Sequence, residues 1–510
     1  MTKARILGLS TQSQRVLIIG AAARLFKACV LSVALVSTPA TAAGLPKPVR
    51  DALRASGIPP SSVGALVQEA GGRRISLALN AERPMNPASV MKLVTTYAAL
   101  ELLTPAYRWK TEAHLRGALG EDGVLEGDLV LRGSGDPKLN YESFWMLLRG
   151  LRGRGLREIR GDVVLDRSRF GPAAGEPIDN DAFRPYNVAP DALLVNFKSL
   201  RFVFVPEGER VRVYVEPNLP GLEVINGLRP GSGTCPEGRA FRDLIEAAFV
   251  SSPQPRAAFS GTYPAQCGER ELNVALYAPE DYVAGMIRQL WSEMGGSWSG
   301  TVRNGAVPED ARLAYVHESQ PLGEIVRDVN KFSNNVMARQ LYLTLAADLA
   351  GAPATTEKGA EVIRQWLLLR NLPAQGLVIE NGSGLSRIER ASASTLAALL
   401  QAAWRSPVMP EFVASLPLAS VDGTMRKRLH GERVAGHAHI KTGLLSGVRS
   451  VAGYVLDRHG RRQAVVMLIN HPNAPQADAA FDALLNWVYD GATGPAPPIP
   501  RPRGASPPRP

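Results

Sequence analysis

Three cysteines in 510 residues cannot staple a fold of this size, so its stability rests on apolar burial, for which 45% hydrophobic residues suffice. Nowhere does a run of apolar residues approach the eighteen or so that cross a bilayer. The chain contains no G-x-S-x-G elbow, no Walker loop and no H-E-x-x-H, so α/β-hydrolase, nucleotide and zinc-protease readings lack their usual support. No internal repeat of solenoid period is present. The net charge of +11 suggests nucleic acid until it is located. Lys3, Arg5, Arg15, Arg24 and Lys27 stand in a leader without acids, and Arg501, Arg503 and Arg509 stand in the tail. Those eight leave the body at +3, too little to argue for a nucleic-acid partner.

What is there begins with that leader. A basic stretch ends at Lys27, an apolar run covers 28–36, and Pro39-Ala40-Thr41-Ala42-Ala43 offers small-residue cleavage sites. The pattern predicts an export signal over 1–43 and a periplasmic mature protein. Its removal takes Cys29 and leaves Cys235 and Cys267, an even pair that predicts one disulfide in an exported chain. Peripheral membrane contact is left open.

Along the mature chain, a short helix over 45–56 precedes strands at 63–68 and 74–79. From 106 to 305 the texture is short strands, Gly and Pro, read as a β-rich insertion of one or two domains. Within it lie a helix over 141–148, following Asp136-Pro137, and another over 280–294. Helical periodicity returns over 322–349, 356–370 and 393–404. Strands follow from His437 through Lys441, at 448–456 and at 463–470, and a helix over 476–489 closes the body. The tail, 491–510, is Pro-rich and predicted extended or disordered.

Three short motifs carry chemistry. In Ser89-Val90-Met91-Lys92, followed by helical spacing with one apolar face, Ser89 stands at a helix start and Lys92 one turn on. A lysine held near a serine in a partly dry site loses basicity and can take its proton. Ser333-Asn334-Asn335 places a hydroxyl and a carboxamide two residues apart at a helix start, able to face one cleft. Lys441-Thr442-Gly443 ends a strand, offering a fixed charge, a hydroxyl and a close-approach glycine beside an edge. His437 and His439 alternate with Lys441 and read as strand-face residues.

In this order the motifs resemble those of the penicillin-recognising serine acyl enzymes. The 244 residues separating Ser89 from Ser333 resemble the spacing of class C low-molecular-mass penicillin-binding proteins, the penicillin-binding protein 4 type of D-alanyl-D-alanine carboxypeptidase/endopeptidase. Gly133-Ser134-Gly135-Asp136-Pro137, Gly161-Asp162-Val163-Val164, Asn381-Gly382-Ser383-Gly384-Leu385-Ser386 and Asp422-Gly423-Thr424-Met425 are similar to stretches of that family. The resemblance, spanning about 45–490, implies an α+β multidomain fold. It comprises a β-lactamase-like transpeptidase αβα domain built from 44–105 and 306–490, with the insertion 106–305 between its first two motifs.

It further implies a peptidoglycan stem-peptide substrate and β-lactam inhibitors, with no metal and no organic cofactor. Ser89 would be the nucleophile, Lys92 its base, Ser333 the proton relay and Asn335 the holder of the substrate amide. Lys441 and Thr442 would receive the substrate carboxylate, and the backbone N–H groups of Ser89 and Leu444 the oxyanion. Two departures stand out. Leu444 occupies a position that is commonly Thr or Ser in the family, so a hydroxyl is lost, which favours endopeptidase over carboxypeptidase cleavage. Asn196 matches the stretch where some members place an Asp that receives the amine of a diamino acid. A catalytically weakened wall-binding protein and, less well supported, a β-lactamase are the rival readings.

Overall fold

The computed structural model describes residues 44–172, 178–179, 181–236 and 240–491. The expected export signal and the Pro-rich tail beyond Gly491 lie outside them.

Residues Ala464 to Ile469 are apolar and buried at every position, so the strand they belong to must be covered on both faces. That strand, Arg462–Asn470, is the middle of a five-stranded sheet. The strand order is Ala438–Leu445, Val448–Leu456, Arg462–Asn470, Val63–Glu69, Ile75–Leu79. All neighbours are antiparallel. One face, with Val465, Met467 and Ile469, packs on Val49 and Leu53 of the helix Lys47–Ala55 and on Phe481 and Leu484 of the helix Asp478–Tyr489. The other face, with Val466, Leu468 and Tyr454, packs on a helical layer that includes Lys92–Leu103, Asn335–Ala350, Thr356–Leu369 and Ala393–Arg405. The result is an αβα sandwich.

The helix after Ser89 departs from the one-faced expectation. Every residue from Lys92 to Leu100 is buried, because the helix runs inside the helical layer and touches others there on all sides. The α-helix itself starts at Lys92, and Ser89 lies in the 3₁₀ turn Ala88–Met91 before it.

The predicted helix 322–349 is two helices, Leu322–Lys331 and Asn335–Ala350. They are parted by a turn in which Ser333 adopts φ +56° and the Asn334 side chain caps Met337 N–H at 3.0 Å. Periodicity is blind to such a break because both helices bury apolar faces. A further short helix, Met409–Ser415, had no sequence signal strong enough to place it.

The insert opens with a seven-stranded sheet. Its long strands Lys110–Leu119 and Val124–Arg132 pair antiparallel, and its far edge strand, Arg312–Glu318, pairs with Lys110–Leu119. The sheet thus runs past residue 305 in sequence. The helix Tyr141–Gly153 is capped by Asn140, which accepts from Ser143 N–H at 3.0 Å. It does not start at Asp136-Pro137, where the Asp136 carboxylate instead caps the turn at Lys138. Two three-stranded sheets complete the insert, and one continuous apolar core, from Leu129 and Phe144 to Phe204 and Phe259, joins all three. Cys235 and Cys267 are disulfide-bonded there. No helix among the described residues is long and apolar enough to cross a membrane.

Candidate active site

The turn that carries Ser89 is fixed from three sides. The Asn86 side chain accepts from Ala88 N–H at 2.8 Å and donates to the Ser386 carbonyl at 2.8 Å. Asn470 brackets the Asn86 backbone, accepting from its N–H at 2.8 Å and donating to its carbonyl at 3.0 Å. Ser450, on the strand Val448–Leu456, donates to the Pro87 carbonyl at 2.6 Å. Ala88 is held at φ +44°, a conformation an alanine keeps only when its surroundings impose it. Gly443 lies so close that a Cβ there would stand 2.1 Å from Ser450 Oγ and 2.7 Å from the Pro87 carbonyl. Glycine is therefore what lets the edge strand reach the serine turn.

Lys92 is 0% exposed. Its Nζ lies 3.0 Å from Ser89 Oγ, 2.6 Å from Asn335 Oδ1 and 2.5 Å from the Ser383 carbonyl; the two carbonyl oxygens accept the two protons of a neutral amine, whose lone pair is left for the Ser89 hydroxyl. Burial, then the charges of Lys441 and Arg339, push its pKa well below the ordinary lysine range, against the pull of Glu389. Arg339 lies one turn beyond Asn335 and is held by the Tyr186 and Val188 carbonyls at 2.8 and 2.9 Å.

Lys441, also 0% exposed, donates to Ser333 Oγ at 2.8 Å and to the Thr442 carbonyl at 2.8 Å. Burial lowers its pKa to about 7. The Ser-x-Asn turn thus bridges two buried lysines, its hydroxyl on Lys441 and its carboxamide on Lys92. All five residues expected to carry chemistry are brought together. Thr442 Oγ1 donates to Thr424 Oγ1 at 2.8 Å, while Leu444 is 66% exposed. Neither histidine joins them: His437 packs on Tyr489 at 5.1 Å and His439 is half-buried along the strand.

Ser89, Ser333, Asn335, Thr442 and Leu444 line a cleft of about 1310 Å³ whose far wall belongs to the insert, including Tyr141, Asn196, Arg201 and Asn273. Asn196 is at the cleft, but its amide is committed, donating to the Tyr282 hydroxyl at 2.8 Å and the Ser199 carbonyl at 3.3 Å. The acids that line the cleft are Glu142, Asp179, Glu216 and Asp478, all exposed, and no sequence motif singled out Asp179. Burial would raise its pKa, but the Tyr186 hydroxyl at 2.5 Å and the Asn187 amide at 2.7 Å hold it below the usual carboxylate range. Arg387 is a second cleft residue without a sequence signal. Both stand in loops whose composition says nothing of what they face.

An αβα sandwich with a serine turn against its sheet edge is the build of the penicillin-recognising serine enzymes, and the large insert before the second serine motif narrows the class. The family can be named more closely, because the model of the D-Ala-D-Ala carboxypeptidase 3 (S13) family matches residues 46–488, and the chain belongs to that family. It is 26% identical over 424 residues to a D-alanyl-D-alanine carboxypeptidase, DacB, of Haemophilus influenzae, covering 80% of this chain and 85% of that one. It is 30% identical over 430 residues to the D-alanyl-D-alanine carboxypeptidase of Actinomadura sp. strain R39, covering 81% and 74%. The fold is similar to the crystal structure of penicillin-binding protein 4 of H. influenzae, with a TM-score of 0.71 at 24% identity over 86% of this chain and 99% of that one. It is also similar to that protein's complex with a β-lactam, with a TM-score of 0.68.

Proposed function

We propose that this serine D,D-peptidase acts through an acyl-enzyme on Ser89, cleaving the D-alanyl-D-alanine or D-alanyl cross-link bond of peptidoglycan stem peptides. Ser89 Oγ attacks the D-alanyl carbonyl while neutral Lys92 takes its proton. The C–N bond breaks, and the leaving amine collects a proton through Ser333, backed by Lys441. Water then attacks the ester, releases the acid and restores the serine. The observation that carries this reading is the Lys92 amine, buried, short of charge and bonded to both Ser89 and Asn335.

β-Lactams follow as inhibitors, since their amide carbonyl acylates the same serine. The amine of a diamino acid in the peptide meets Asp179, the acid that Asn196 cannot replace. With the basic, acid-free leader, the reading extends to action in the periplasm, where fractionation of cells should find the processed protein.

The test is mass spectrometry after labelled penicillin. Wild type gains one adduct on the peptide containing Ser89, and Ser89→Ala gains none. Undiminished labelling of Ser89→Ala would sink the proposal.

A further inference from the structure

Loss of a hydroxyl at Leu444 leaves Thr442 as the hydroxyl of the Lys-Thr-Gly strand itself, yet Thr442 does not stand alone. Its hydroxyl donates to Thr424 Oγ1 at 2.8 Å. Thr424 is exposed at the cleft wall. Its own proton has no acceptor among the described residues, so it is a donor free to meet a ligand.

Thr424 is also held in place with unusual thoroughness for an exposed loop residue. Asp422, two residues before it, takes both oxygens to Lys331 Nζ at 2.9 and 2.6 Å, and Lys331 is buried. The same carboxylate accepts from Leu418 N–H at 2.8 Å. Gly423 sits at φ +56° with its Cβ position 2.5 Å from the Lys331 carbonyl, so no larger residue fits between them. Lys331 ends the helix just ahead of Ser333. The turn with Thr424 and the turn with Ser333 are therefore one rigid unit facing the Lys441–Thr442 strand. A surface loop without a ligand to meet would not need an ion pair to a buried lysine to aim one threonine.

We propose that Thr424 is a substrate-binding residue: oriented by the Thr442 hydroxyl, it donates its own proton to the carboxylate next to the scissile bond, supplying the donor that Leu444 lacks. The inference rests on the proposed acyl-enzyme function. It also restores the carboxylate end of the site, so Leu444 does not by itself turn the enzyme away from substrates with a free terminal carboxylate.

The experiment compares acylation of Ser89 by a penicillin with acylation by its methyl ester. Penicillin carries its carboxylate one carbon from the lactam nitrogen, as D-alanine does from the peptide nitrogen. A hydrogen bond to a charged group contributes about 1.5–3 kcal/mol, so Thr424→Val should lower the acid-to-ester ratio of rate constants about tenfold or more. Thr424→Ser, which keeps the hydroxyl, should restore the ratio. An unchanged ratio in Thr424→Val overturns the inference, as does an equal fall on both compounds, which would mark a merely structural residue. If wild type forms no Ser89-dependent adduct with either compound, the proposed function fails first and the inference with it.

Discussion

Lys92 and Lys441 are both fully buried and both lose basicity, but their surroundings differ. Lys92 feels burial and the charges of Lys441 and Arg339, whereas Lys441 is lowered by burial to about 7. Lys92 is thereby suited to be the neutral base, and Lys441 to meet an anion. A carboxylate arriving beside Lys441 favours its ammonium and raises its pKa. At pH 6 Lys441 is already protonated, so binding takes up little proton there. At pH 8 it is mostly neutral, so binding takes up a proton. Calorimetry on Ser89→Ala, with a D-alanyl-D-alanine peptide in two buffers of different ionisation enthalpy, should show uptake at pH 8 that is absent at pH 6. Lys441→Met should abolish it, which separates Lys441 from the neighbouring Lys92. Equal uptake at both pH values would count against the assignment.

At the scale of elements, the loop from Glu380 to Ser386 does more than connect. Glu389 is 0% exposed, and its Oε1 accepts from the N–H groups of Glu380, Asn381 and Gly382 at 3.1, 3.0 and 3.0 Å. Burial raises its pKa against those three bonds and Lys92. The loop so gathered presents the Ser383 carbonyl to Lys92 and the Gly382 carbonyl to Thr95 at 2.6 Å. Glu389→Ala would strand three donors, each costing about 1–3 kcal/mol when left unmet. It should lower the urea midpoint and slow penicillin acylation together. Glu389→Gln keeps an acceptor and should retain most of both. A stable, fully active Glu389→Ala would remove the loop from the account.

On the scale of the molecule, the cleft exists because a β-rich insert stands opposite an αβα sandwich. Ser89 and Thr442 come from one and Asp179 from the other. The insert should therefore govern which peptide enters rather than whether Ser89 reacts. Asp179→Asn is expected to raise KM about tenfold for a stem peptide with a free diamino-acid amine, while the rate of penicillin acylation stays within about twofold of wild type. Steady-state kinetics on that peptide and on its N-acetylated form measure the difference. Equal KM changes on both would show that Asp179 acts on loop structure instead of the amine.

Ser89, Lys92, Ser333, Asn335, Lys441 and Thr442 could be read in the chain because each motif is local. Residues within three positions are bound to meet on one turn or strand whatever else the fold does. Most helix centres were legible because burial on one face writes a period of 3.6 into the sequence, and the strand 448–456 because an apolar run ends at the turn Asp457-Arg458-His459-Gly460. What the chain could not show is anything set by contact between distant segments. The full burial of the Lys92 helix and the insert strand at Arg312–Glu318 are of this kind. So are Asp179 at the cleft wall and Thr424 beside Thr442. The sequence by itself determined which groups can do the chemistry. Only the tertiary structure decided their charge and their partners, because both depend on what is excluded from, or packed against, each side chain once the layers close.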